Sequence, residues 1–239
     1  MNLRLRKIEL LKRLKEKDFN AGLKAIRNLP PKRVISPLIS FLCATDETVK
    51  WRSVMAIGEI VSALQKKDME SARIIMRRLI WYLNDESGGI GWGVPETMGE
   101  IMARNPELAR EYGSILVSYI RPGPGFIEHP MLQRGVLWGI GRLIHAHPDL
   151  LTEACGLLPP YLQSHDTSIR GLAVYAAGPN ISNKTLLQKL IGDNAALKIF
   201  LNGKFVEYTV GQLVKEALQT EKTPLSPSLA ERDHSIILS

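Results

Sequence analysis

The sequence predicts an all-α chain, a right-handed α-solenoid of about four to five helix pairs ending in a small β-hairpin plus helix. Three observations carry this expectation. Four apolar helical stretches close on Gly58, Gly99, Gly141 and Gly178, at gaps of 41, 42 and 37 residues, and a period of that size belongs to helical repeat arrays. A second amphipathic stretch follows each of them, so each repeat reads as a helix pair. After Gly192 the spacing changes from helical to alternating, around the turn pair Asn202-Gly203.

The elements follow in order. Ile8, Leu10, Leu11 and Leu14 gather on one side of a helix while Lys7, Lys12, Arg13, Lys15 and Lys17 fill much of the rest, the make-up of a capping helix with a polar outer face. A degenerate repeat comes next, with a helix over 20–28, a break at Pro30-Pro31 and a helix over 32–43. First helices of the full repeats are expected over 48–65, 91–104, 131–146 and 167–178, and second helices over 69–83, 107–120, 149–163 and 184–191. Asp46 and Asp166 stand as N-caps before two of the first helices. Asn105-Pro106 and His147-Pro148 mark boundaries, because the residue before proline avoids the α conformation. A long link, Arg121 to Pro130, has no helical periodicity. Leu197–Leu201 and Lys204–Tyr208 alternate about Asn202-Gly203 as a hairpin, and Thr209 caps a last helix to Leu218. The expected organisation is therefore capping helix and repeats over 1–192, hairpin and terminal helix as a C-terminal cap over 193–219, and a flexible tail over 220–239.

Charge is uneven. Residues 1–34 hold 11 Lys and Arg against Glu9, Glu16 and Asp18, whereas the remainder holds 20 basic and 21 acidic residues. A basic excess at one end can tether that end to a phosphate backbone or an acidic partner, but it does not coat a whole groove. Cys43 and Cys155 lie in apolar stretches, fit no metal-ligand spacing and read as buried free thiols. No apolar run reaches the roughly 18 residues of a membrane span, and the N-terminus lacks the apolar core of a signal peptide, so the expected location is cytoplasmic. His129, His145, His147 and His165 form no zincin spacing, no Ser-His-Asp set is visible, and neither metal nor cofactor is expected.

Asp46…Val49-Lys50…Gly58 and Asp166…Ile169-Arg170…Gly178 resemble the short bacterial HEAT-like repeat class labelled after phycobilisome lyases, over roughly residues 20–192. The stretch Trp81 to Gly93 is similar to that of a bacterial family of such proteins with no assigned activity. The resemblance implies a superhelix that binds macromolecules. Its members include scaffolds, chromophore lyases and DNA glycosylases that set aromatic and acidic side chains in a basic groove.

In repeat register the second copy departs from its neighbours, carrying Pro95 and Glu96 where they carry apolar residues. Positions seven before, three before and one after the shared glycine form one helical arc, reading Trp51, Met55, Glu59, then Trp92, Glu96, Glu100, then Arg134, Trp138, Arg142. Stacking makes these rows neighbours, which gives two readings. One is a binding pocket in which Glu96 and Glu100 share a face, Trp92 is a wall and Arg134 and Arg142 supply cations. A carboxylate held there against aromatic walls has a raised pKa and suits general acid or base work, with Glu96 and Asp85 as the catalytic candidates. The other is an ion-pair ladder, Glu96 to Arg134 and Glu100 to Arg142, between repeats. The glycine-rich run 87–93 before a helix is either an anion-admitting loop or a tight connection that lets Trp81 and Trp92 pack.

The reading that follows is a non-enzymatic protein-interaction scaffold, its contact surface centred on residues 81–104. Its binding residues are Trp81, Asp85, Glu86, Trp92, Glu96, Glu100, Arg134, Trp138 and Arg142. The alternative is a nucleic-acid-binding protein, working through the basic 34-residue end and carrying glycosylase-like base chemistry. A third class is a chromophore lyase-like or small-molecule enzyme.

Overall fold

A computed structural model describes residues 3–84, 91–178 and 184–220. It is all-α apart from one two-stranded sheet, and its helices follow one another as the HEAT-like helix pairs expected. The chain divides into two compact units, 1–108 and 109–239.

The first unit holds α1 (Leu3–Leu14), α2 (Phe19–Arg27), α3 (Pro31–Phe41), α4 (Glu47–Gln65), α5 (Met69–Asn84) and α6 (Val94–Ala103). Short polar side chains start α2 and α4. Asp18 accepts from the amides of Asn20 and Ala21, and Asp46 from those of Thr48 and Val49, so each satisfies two otherwise unpaired donors of a first turn. Arg52 of α4 closes the other end of α1 by donating to the carbonyls of Leu14 and Glu16 at 2.6 and 2.8 Å. Leu14, Ile26, Leu38, Ile57, Ile60, Met76, Leu79, Met98 and Ile101 are fully enclosed and make the core.

The repeat glycine has a steric reason here. A Cβ on Gly58 would stand 2.7 Å from Glu100 Cγ, so glycine is what lets α6 lie against α4.

The helix α7 (Pro106–Ser118) straddles the division. The second unit continues with α8 (Pro130–Ala146), a 3-10 turn (Thr152–Leu157), α9 (Pro159–Leu162), α10 (Thr167–Ala177) and α11 (Lys184–Lys189). Then come β1 (Ala196–Leu201), β2 (Lys204–Thr209) and α12 (Val210–Thr220). Asp166 caps α10 through Ser168 and Ile169, and a side chain on Gly141 would collide with the Tyr175 ring of α10. The hairpin pairs Leu201 with Lys204 across Asn202 and Gly203, whose φ values of 50° and 80° are those of a type I′ turn. Thr209 and Gln212 cap α12 reciprocally, Gln212 N donating to Thr209 Oγ1 and Thr209 N to Gln212 Oε1.

Four local expectations are corrected. The helix expected over 149–163 is broken, since Pro159 and Pro160 lack the amides that would continue it, and only the 3-10 turn and α9 form. The α6 helix starts at Val94 rather than 91, because Gly93 sits at φ 71°, outside the helical region. Cys43 lies beyond the end of α3 and is exposed, while Cys155 is buried. On α1, Ile8 points outward at 57% exposure instead of joining Leu10 and Leu14.

Candidate interaction surface

The second repeat's departures, Pro95 and Glu96, occupy the first turn of α6. Proline at the second helical position gives up an amide that would be unpaired anyway. The turn before it is held by Thr97, whose hydroxyl donates to Gly93 O at 2.7 Å. Gly93 leaves room for the first unit's own core, as a Cβ there would stand 3.0 Å from Leu42 Cβ and 3.2 Å from Lys50 Cε.

Lys50 runs past this glycine to Glu96, donating from Nζ to Oε1 at 2.9 Å, with the same ammonium 5.5 Å from the centre of the Trp51 ring. Glu96 is only 4% exposed, and its Oε2 is shielded from solvent with no hydrogen-bond partner. Such a pair fastens α6 to α4 across 46 residues of sequence. One turn on, Glu100 is 3% exposed and accepts from Arg104 Nε at 2.5 Å. Arg104 also donates from Nη1 to Glu59 Oε2 at 2.6 Å, and Glu59 Oε1 takes Arg27 Nη1 at 2.8 Å. Charges from α2, α4 and α6 thus alternate in one chain.

This arrangement corrects the expected Glu96–Arg134 rung. Glu96 has Lys50, and Arg134 donates to Asp166 Oδ2 at 2.5 Å, each partner lying within its own unit. Burial opposes the Asp166 charge, but Arg134 and the amides of Ile169 and Ser168 outweigh it and hold the carboxyl below its ordinary range.

The remaining sequence-predicted residues separate by environment. Trp138 of α8 is buried and donates from Nε1 to Phe200 O at 2.9 Å, so its polar atom is occupied inside the second unit. Arg142, on the same helix, lies beside His145, whose imidazole is held neutral with a pKa of about 4. Burial is the main cause and Arg142 adds to it, against a hydrogen bond to Tyr175 O that favours the charged ring. Trp92 is half-buried. Asp85, Glu86 and positions 87–90 of the glycine-rich run lie outside the described residues.

Trp81 is different. It stands on α5 at 59% exposure, edge-on to Tyr82 with ring centres 5.3 Å apart. Seven residues earlier, Ile74 is 54% exposed on the same side of the helix. Between them come Arg77, which donates to Glu70 at 2.5 Å, and Arg78, which donates to Ser36 and to the Tyr82 hydroxyl. Ile74, Arg77 and Arg78 were not singled out from the sequence. The spacing of Ile74 and Trp81 was the available signal, but α5 carries apolar residues all round (Ile74, Ile75, Met76, Leu79, Ile80), which conceals the face that packs.

Among the described residues no group of three His, Cys, Asp or Glu side chains could hold a metal ion, and no helix is long and apolar enough to cross a membrane.

No protein-family model matches the chain. An uncharacterised protein of Archaeoglobus fulgidus is 32% identical over 107 residues, 45% of this chain and 52% of that one, so the match spans about half the relative's length. Among solved structures, an engineered protein from a structural genomics consortium aligns at a TM-score of 0.49 and 17% identity, over 93% of this chain and 97% of that one. A designed armadillo repeat protein aligns at 0.43 and 17%, over 88% and 97%. Another, in complex with a (KR)4 peptide, aligns at 0.39 and 18%, over 95% and 96%. All three scores are below 0.5, and the helix-pair architecture rests on the chain's own elements.

Proposed function

We propose that the chain is a protein-interaction scaffold whose contact surface is centred on the second full repeat and is led by the outward face of α5. The observation that carries this reading is Trp81, a large aromatic side chain left more than half exposed and aligned with an exposed Ile74. Aromatic and arginine side chains make the largest contributions at protein interfaces when a partner desolvates them. Arg77 pairs with Glu70, both well exposed, and a surface pair of that kind is worth about 0 to 1 kcal/mol, so an incoming carboxylate can compete with Glu70 for the guanidinium. A fitting partner is an acidic protein segment with apolar side chains. The buried Glu96 and Glu100 pairs then serve as the frame that fixes α6, not as contact residues.

Binding to a panel of acidic amphipathic peptides, followed by fluorescence anisotropy, tests the reading. Trp81→Ala and Arg77→Glu are expected to weaken binding at least about tenfold each with melting unchanged. Undiminished binding by both variants refutes it. Nucleic acid is the competing reading, because residues 1–108 carry 19 Lys and Arg against 13 Asp and Glu. Tighter binding of a DNA or RNA duplex than of any peptide, falling steeply with salt, would favour it instead.

A further inference from the structure

The α1 helix does not present a purely polar outer face. Leu5 and Ile8, one turn apart, are 56% and 57% exposed, although Leu10 and Leu14 on the opposite side are buried. Counting 100° per residue, Arg4, Leu5, Ile8 and Lys12 fall within one arc of about 100°. Cations therefore interleave with the apolar pair. On the other flank of α1 a small pocket of about 60 Å³ is lined by Arg6, Glu9 and Arg33 together with apolar Leu10, Leu29, Pro30 and Val34. Over residues 1–34 the basic excess is 11 against three.

Two chemistries are thus presented together, cationic side chains and bare aliphatic ones on a single helix face. A nucleic-acid duplex would satisfy the charge but offers no apolar phase to Leu5 and Ile8. A bilayer with acidic lipids offers both, with anionic head groups overlying hydrocarbon, and it offers them in layers that an interfacial helix crosses sideways. We propose that α1 docks the chain onto anionic membrane surfaces, Leu5 and Ile8 entering the acyl boundary while Arg4 and Lys12 meet the head-group phosphates. Two aliphatic side chains give a small buried area, so the association is reversible and salt-sensitive. This surface is independent of Trp81.

The test is co-sedimentation of the full chain with vesicles of phosphatidylcholine containing a quarter phosphatidylserine, against vesicles of phosphatidylcholine alone. Binding to the anionic vesicles is expected, weaker by at least about tenfold on the neutral ones. The double variant Leu5→Ser/Ile8→Ser is expected to lose at least about tenfold in partitioning, as is Arg4→Glu/Lys12→Glu, both with native circular dichroism. Trp81→Ala is expected to partition like the native chain. No binding to anionic vesicles at low salt overturns the proposal. So does unchanged binding by the Leu5/Ile8 variant, which would mean simple electrostatic adsorption. A duplex DNA or acidic peptide that binds this face while anionic vesicles do not assigns it to another class of partner and overturns the proposal as well.

Discussion

Taking the chain from neutral pH to about pH 5 is expected to weaken the second unit through His145. Its ring stacks on Tyr175 with centres 4.7 Å apart and planes 17° from parallel, and Nε2 lies 3.2 Å from Tyr175 O. Burial lowers its pKa from 6.5 to about 4, so the folded chain resists a proton that the unfolded chain accepts. Above the unfolded value both states are neutral and stability does not depend on this group. Between 6.5 and about 4, stability falls as pH falls, and below that window the loss levels off because both states are charged. At 1.36 kcal/mol per unit, about 1.5 units at pH 5 correspond to roughly 2 kcal/mol, and the whole window to about 3 kcal/mol. His145 is half-buried and keeps some solvent contact, which makes these values ceilings. The assay is urea unfolding at both pH values for the native chain and for His145→Phe. The variant keeps an aromatic ring against Tyr175 but forgoes the carbonyl hydrogen bond, costing about 1 kcal/mol at neutral pH. It is expected to lose less stability on acidification by up to about 2 kcal/mol, the contributions of carboxylates cancelling in the difference. Parallel losses within about 0.5 kcal/mol would refute the argument.

Three further outcomes can be checked by the same unfolding measurement. Lys50→Met leaves the Glu96 carboxylate buried without its cation and is expected to cost about 3 kcal/mol, whereas Lys50→Met/Glu96→Met recovers most of that loss; a single-variant cost below about 1 kcal/mol would place the pair with ordinary surface pairs. Gly58→Ala drives a methyl into Glu100 and, at 3.4 Å, against Arg104, with an expected cost of about 1 to 3 kcal/mol. Gly93→Ala forces a side chain into φ 71° and towards Leu42, and about 1 to 3 kcal/mol of destabilisation is expected there too.

The parts of the fold legible in the sequence were those decided within a few residues. Asp46 and Asp166 cap the helices they precede, and Asn202-Gly203 turns the hairpin, because a cap or a turn needs only its own neighbours. The partner of Glu96 was not legible. Row counting assigns neighbours by the direction of each Cβ, but Lys50 sits one position before Trp51 in its own row and reaches Glu96 through a four-carbon stem. It was also hidden that α6 begins five residues before its glycine while α4 begins eleven before its own, which sets the first turn of α6 beside the middle of α4. The outward turn of Ile8 had the same origin. A periodic apolar pattern marks a stripe wide enough to be core, and only the packed neighbours decide which edge of the stripe is left in solvent. Trp81 and Trp138 looked alike as candidates, yet one is exposed and the other bonded to a strand 62 residues away.

That strand is also built into the packing of the second unit. Leu197 of β1 occupies the space that glycine opens at Gly171 of α10, as Glu100 does at Gly58, while Trp138 holds β1 by the carbonyl of Phe200. Taking the hairpin away would therefore strand the Trp138 indole without its acceptor and open a gap at Gly171, so α8, α10 and the ribbon hold their places together.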